Sequence, residues 1–206
     1  MSSEAWYLDG RTEMFDDLKV FFKRTGSGTP LICIHGFPSS SWDFEAIWPS
    51  LSERFDVLVH DLIGLWKSAK PNQPLPISLQ ADIVEGLAAK AGVKEAHILA
   101  HDLGDTIAQE LLARQFEKSS KVNWLSCVFL NGGIFPETHR ALFIQKLLLS
   151  PLGPLVVKLM SEKSLKKSLT KVFSMAHPPT DRFPMQILSC SKIPDTTPMW
   201  KRRKRF

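Results

Sequence analysis

Cysteine is scarce in this 206-residue sequence: Cys33, Cys127 and Cys190 stand alone, without the spacing of a metal site or a disulfide framework. Their isolation excludes a cysteine-stapled scaffold and suits free thiols in a reducing cytoplasm. Also missing is any run of 18 or more apolar residues, or a leader in which basic residues precede an apolar stretch. Neither a membrane span nor a signal peptide is therefore expected. The formal charge of +5 has little reach, because five positive charges sit in Lys201-Arg-Arg-Lys-Arg205 and the other 21 basic residues equal the 21 acidic ones. A nucleic-acid partner would call for a basic face and stacking aromatics on the folded part. A neutral body with a basic end reads instead as a solvated tail, and no nucleic-acid partner is expected. The lysines between Leu155 and Phe173 read likewise as the exposed side of a helix rather than a membrane anchor. Length and ordinary apolar content suffice to bury one core, and nothing in the sequence suggests two independent domains.

What the chain does have is alternation of two hydrophobic periods. Glu13 to Phe15 and Leu18 to Arg24 suggest two opening strands around a turn at Asp16 and Asp17. A strand at 30–34 precedes a helix near 41–52, where Ser39 to Ser41 offer the cap and Phe44, Ile47, Trp48 and Leu51 recur at helical spacing. Phe55 to Val59 is the next strand, ending in Asp61. A helix over 79–91 follows, capped by Ser78 and stopped by Gly92. Strands at 96–100 and 124–130 flank a further helix. Such alternation predicts an α/β fold whose mostly parallel sheet carries helices on both faces.

Two junctions carry the chemistry. In Ala96-His-Ile-Leu-Ala-His-Asp-Leu-Gly-Asp105 an apolar strand turns sharply into a helix, with Gly104 permitting the turn and Ile107, Ala108, Leu111 and Leu112 at helical spacing. Asp102 sits at the bend. There a carboxylate gains from unpaired N–H groups and the positive helix end, and is placed to attack carbon; by itself, the same position also describes a plain helix N-cap. The second junction is Pro30-Leu-Ile-Cys-Ile34 running into His35-Gly36-Phe37-Pro38. Strand followed by His-Gly is a loop that lends a backbone N–H to an oxyanion hole. Here the donors would be the N–H groups of Phe37 and of Leu103, the residue after Asp102. Asp105 is assigned to the helix N-terminus, where its charge suits the dipole.

Both junctions together resemble the α/β-hydrolase superfamily, and within it the aspartate-nucleophile branch that includes epoxide hydrolases and haloalkane dehalogenases. The likeness runs from about Val20 to Phe173. More narrowly, His101-Asp-Leu-Gly-Asp-Thr-Ile-Ala-Gln-Glu-Leu-Leu112 and Asn131-Gly-Gly-Ile-Phe-Pro-Glu-Thr-His-Arg140 are similar to the mesoderm-specific-transcript group and its bacterial relatives. The resemblance implies an ester intermediate on Asp102, a small-molecule substrate, and no metal or organic cofactor. It casts His35, Gly36, His101 and Gly104 as motif support that holds the loops. It also implies a partition into 1–133 as the N-terminal part of the core, 134–173 as part of a helical lid, and 174–206 as a divergent basic tail without regular structure.

Departures narrow the chemistry. Asp61-Leu-Ile-Gly-Leu-Trp-Lys-Ser68 resembles the family loop Asp-x-x-Gly-x-Gly-x-Ser, with Trp66 in place of a glycine. Leu103 stands where dehalogenases commonly place a tryptophan for the halide, and Tyr7 is the only tyrosine, whereas epoxide hydrolases use lid tyrosines. Phe37 in His-Gly-Phe-Pro matches epoxide hydrolases better. No Gly-x-Ser-x-Gly occurs, which disfavours a serine esterase. Family members return from the lid to two more strands that supply an acid and a histidine, and that histidine activates the water that frees the ester. His177, in Ala176-His-Pro-Pro179, lacks a preceding strand, and His60, His97 and His139 have no better claim. The expectation is an incomplete fold that captures substrate without releasing it, with the strand at 124–130 left as an unprotected edge. A non-catalytic remnant or interaction protein is the alternative.

Overall fold

A computed structural model of the protein describes residues 3–131, and residues 185–189 by their backbone pairing. The lid expected over 134–173, His139, His177, Cys190 and the basic cluster 201–205 lie outside the described residues.

A short helix α1 (Ser3–Leu8) leads into strands β1 (Arg11–Phe15), β2 (Leu18–Thr25) and β3 (Thr29–Ile34). A 3-10 helix (Ser41–Ile47) runs into α2 (Trp48–Ser52), followed by β4 (Phe55–His60), α3 (Ile77–Lys90), β5 (Glu95–His101), α4 (Leu103–Phe116) and β6 (Asn123–Leu130). The last described strand is β7 (Met185–Ser189). All seven strands form one sheet in the order β1-β2-β4-β3-β5-β6-β7. The central β4, β3, β5 and β6 are mutually parallel, while β2 against β4 and β7 against β6 are antiparallel. Strand ends that share a direction bring the loops after β3, β4 and β5 to one edge of the sheet, where ligands collect in open α/β sheets.

Both faces are covered, for reasons visible in β3. Ile32 and Ile34 belong to the larger apolar cluster, packed with Val84 and Leu87 of α3 and Ile107 and Leu111 of α4. Leu31 and Cys33, one residue out of phase, face the second cluster with Trp6 of α1, Phe44 and Trp48. Strand side chains alternate between faces, so a run buried along its whole length requires helices on both. Lys23 is buried within this second layer; its ammonium reaches Asp9 at 2.8 Å and lies 4.3 Å from the ring centre of Trp6.

Four local expectations need correction. The stretch 41–52 is not one α-helix: Ser40 caps it by accepting from Trp42 N–H, but its first seven residues are 3-10. Pro49 lacks the N–H that would bond to Glu45, and the α form starts only around it. Ser78 does not cap α3, which begins at Ile77 after an extended Pro76, and the Ser78 carbonyl instead accepts from Arg114. Helix α1 was not expected at all; burial of Trp6 against Trp48, in edge-to-face contact at 5.0 Å, holds it. The edge of β6 is not bare, since β7 pairs with it from Ser126 to Leu130. That strand comes from the tail expected to lack regular structure, and the unpaired N–H and C=O groups of a strand edge are the template for such an addition.

Candidate active site

β5 delivers its last residue, His101, to the edge where β3 ends, and the chain reverses into α4 within one residue. Asp102 makes that reversal with φ +55 and ψ −113, a left-handed conformation that a non-glycine residue adopts only under constraint. Its own N–H is fixed by the Leu130 carbonyl at 3.1 Å, and the Asp102 carbonyl accepts from Asp105 N–H at 3.1 Å. The elbow can form because Gly104 has no side chain: a Cβ there would lie 2.2 Å from the Ile34 carbonyl oxygen. β3 and α4 thus meet backbone to backbone.

Among the described residues, the Asp102 carboxylate is held on one side only. Oδ1 accepts from Phe37 N–H at 2.9 Å and from Leu103 N–H at 2.6 Å, so the two expected donors converge on a single oxygen. Gly36 lets the Phe37 loop come this close, because a Cβ on it would stand 2.5 Å from Asp102 Cβ and 2.8 Å from Oδ1. Oδ2 takes part in neither bond. The Phe37 ring is 65% exposed, which leaves its N–H rather than its side chain as the group turned towards Asp102.

Two further loops brace this arrangement. His35 is fully buried; its Nε2 accepts from Leu62 N–H at 2.9 Å, which assigns the proton to Nδ1, 2.7 Å from the Gly36 carbonyl. Burial keeps its pKa below the ordinary imidazole value, so it is a neutral strut between the loops after β3 and β4. Asp61, also fully buried, accepts from Ser41 N–H at 2.9 Å and Lys67 N–H at 3.0 Å, with the Tyr7 hydroxyl at 3.4 Å. Burial, with the neighbouring carboxylate, pushes the Tyr7 phenol up to about 12. Gln80 closes the 61–69 loop, accepting from Ile63 N–H at 3.1 Å and donating to its carbonyl at 2.9 Å. Trp66 adopts φ +36, the left-handed backbone that glycine takes without strain, and its ring lies 6.0 Å from that of Tyr7.

His101 stands beside Asp102 in the chain and faces Asp43, with Nδ1 3.7 Å from Oδ2. That is an electrostatic contact longer than a hydrogen bond. Asp43, followed by Asp102 and Asp105, outweighs partial burial and raises the His101 pKa above its usual value. The roles of Asp43, Asp61, Gln80 and Trp6 were not assigned from sequence. For Asp61 a signal existed, a carboxylate directly after an apolar strand; Asp43 and Gln80 lie inside amphipathic helical stretches and carry none.

His60 is also buried, both ring nitrogens lack a hydrogen-bond partner among the described residues, and burial pushes it down to about 3. His97 sits on β5 with Nδ1 2.7 Å from Ser126 Oγ. Among the described residues no group of three or more His, Cys, Asp or Glu side chains could hold a metal ion. No described helix is long and apolar enough to cross a membrane. A groove of about 750 Å³ at the β1–β2 side touches none of the residues around Asp102, and its Lys23, Arg24 and Lys90 are paired with Asp9, Asp56 and Glu13.

A family profile described as alpha/beta hydrolase fold matches residues 29–148. The chain is 38% identical over 189 residues to the mesoderm-specific transcript protein of Mus musculus, covering 86% of this chain and 56% of that one. It is 32% identical over 95 residues to the soluble epoxide hydrolase of Corynebacterium sp. (strain C12), covering 46% and 33% respectively. An alpha/beta hydrolase fold protein from Burkholderia ambifaria superposes with a TM-score of 0.68 at 20% identity, over 83% of this chain and 61% of the other, a likeness of fold alone. The chain spans about half the length of the mammalian relatives it matches, 56% of the mouse and 54% of the bovine protein.

Proposed function

The chain belongs to the α/β-hydrolase fold family, and on that premise we propose that Asp102 is a nucleophile that forms an ester with a small apolar substrate of the epoxide or alkyl halide class. The supporting observation is the one-sided grip on its carboxylate: Phe37 and Leu103 N–H groups bind Oδ1 at 2.9 and 2.6 Å, leaving Oδ2 to attack. In that attack Oδ2 bonds to carbon. A halide departs with its electron pair, or an epoxide oxygen leaves carbon as an alkoxide that takes a proton from water. Oδ1 becomes the carbonyl oxygen of the ester and already lies between two donors. When water later adds to that carbonyl, the charge develops where those N–H groups point, which is the condition for oxyanion stabilisation.

Similarity to a protein named soluble epoxide hydrolase favours this substrate class. Release of the ester is a separate requirement, because water must be activated by a base. Of the described histidines, His35 uses both ring nitrogens on the Gly36 and Leu62 backbones, His60 is sealed in the core, His97 is tied to Ser126, and His101 faces Asp43, whose carboxylate favours the protonated imidazolium over a free base. The described residues therefore equip the chain for capture, and we propose that the ester on Asp102 lives long enough to accumulate.

Incubation with styrene oxide or 1-bromobutane followed by intact-mass measurement tests both parts. One adduct per chain, mapped to Asp102 and absent from Asp102→Asn, is the expected result. Labelling that persists in Asp102→Asn would remove Asp102 from its assigned role, and many turnovers without adduct would show that a base is present after all.

A further inference from the structure

The loop that carries Phe37 N–H and the elbow that carries Asp102 come from different strands, and something has to keep them together. The Phe37 N–H bond to Oδ1 does so directly, but it is also a bond that must remain in register while Oδ2 reacts. A second link lies outside the reacting atoms. Ser39 Oγ lies 3.0 Å from the Gly36 carbonyl and donates to Asp43 Oδ2, which ties Asp43 to the turn that sets Phe37. Asp43 in turn faces His101 across the gap, 3.7 Å from Nδ1, and both side chains are about one-third exposed. His101 is bonded through the main chain to Asp102. The path Phe37 loop, Ser39, Asp43, His101, elbow is therefore closed by one charge pair.

We propose that His101 is a positioning residue whose ion pair with Asp43 clamps the Phe37 loop onto Asp102, so that the rate of ester formation depends on a pair that never touches the substrate. This rests on the assignment of Asp102 as nucleophile. The groups facing the imidazole are Asp43 from the 3-10 helix, Asp102 and Asp105 from the elbow and the first turn of α4, and His35 from the loop after β3. Three are acidic and His35 is neutral, so the surroundings favour the imidazolium. The clamp is present while His101 is protonated and is lost as pH rises through its raised pKa. A carboxylate nucleophile behaves in the opposite sense, since it only becomes more ionised with rising pH. A falling alkaline limb in the labelling rate is therefore the signature of the clamp.

The test measures two quantities between pH 5 and pH 9 in the full chain: the single-turnover rate of labelling by 1-bromobutane, and the hydrogen-exchange protection of the Phe37 amide by NMR. Wild type should label about fivefold more slowly on the alkaline side, the range expected for a partly exposed ion pair, and Phe37 protection should fall with the same midpoint. His101→Gln and Asp43→Asn should show the low rate and low protection at every pH, with Asp43→Glu partly restoring both. Unchanged Phe37 protection and an unchanged pH profile in His101→Gln would overturn the clamp while leaving Asp102 as nucleophile. If wild type fails to label but Phe37 protection still follows His101, the clamp stands and the nucleophile assignment falls.

Discussion

Replacing Gly36 by alanine probes the contact on which the site is built. Gly36 is not among the glycines with positive φ, so alanine suffers no backbone penalty there and the effect is purely steric. The new methyl would lie 2.5 Å from Asp102 Cβ, 2.8 Å from Oδ1 and 3.0 Å from Cγ. Carbon atoms pack comfortably at about 3.5–4.0 Å, so loop and elbow must part by roughly 1 Å. An overpacked position of this kind costs about 1–3 kcal/mol in stability. A 1 Å displacement of a positioning group costs on the order of 100-fold in rate, and Phe37 N–H is the group displaced. Urea unfolding and the labelling rate with 1-bromobutane measure the two effects separately. The three nearest atoms all belong to the Asp102 side chain, so in an Asp102→Gly background Gly36→Ala should cost much less in stability, a coupling that a double-mutant cycle isolates. Labelling by Gly36→Ala within about threefold of wild type, or an undiminished stability loss in the Asp102→Gly background, would refute the reasoning from contact to rate.

Two further outcomes follow from the core. His60 is held neutral with a pKa near 3 against an ordinary 6.5, so the unfolded chain takes up a proton first as pH falls, and stability present above pH 6.5 is lost towards pH 3. That share amounts to about 3 kcal/mol between pH 7 and pH 4, and His60→Leu should reduce the acid-induced loss measured by urea titration by that amount; an identical loss in the variant would contradict the burial. Arg114 bonds Glu85, Asp82 and Glu110 and thereby compensates the buried Glu85 carboxylate between α3 and α4. Arg114→Met should cost about 3 kcal/mol in chemical denaturation, because Glu85 would remain buried without its cation, whereas an effect below about 1 kcal/mol would mean that Ser120 Oγ and Lys121 N–H satisfy it alone.

Much of this protein was written locally. The apolar run at 30–34, with its flanking His-Gly, and the strand, bend and helix at 96–112 follow from side-chain period and from glycine at one tight position, so β3, β5, the elbow and α4 were readable residue by residue. The left-handed backbone of Asp102 was not read from the sequence, which placed the turn's freedom on Gly104. Where reading failed, the cause was also physical. The boundary at Pro49 depended on one missing N–H, and Ser78 was passed over as a cap because α3 begins one residue before it. Helix α1 is held by Trp6 against Trp48, 42 positions along the chain, and β7 joins an edge whose partner no nearby residue announces.

The sequence by itself therefore determined the family and the alternation of the central strands and helices from β3 to β6, and it singled out Asp102 as the residue at the bend, because each of these depends on periods of two or 3.6 residues and on single glycines. Only the tertiary structure decided how the site is held. Phe37 N–H meets an oxygen 65 residues away, Asp61 gathers Tyr7, Ser41 and Lys67, and Asp43 faces His101. Such contacts are set by which strands become neighbours in the sheet, and no local pattern records that.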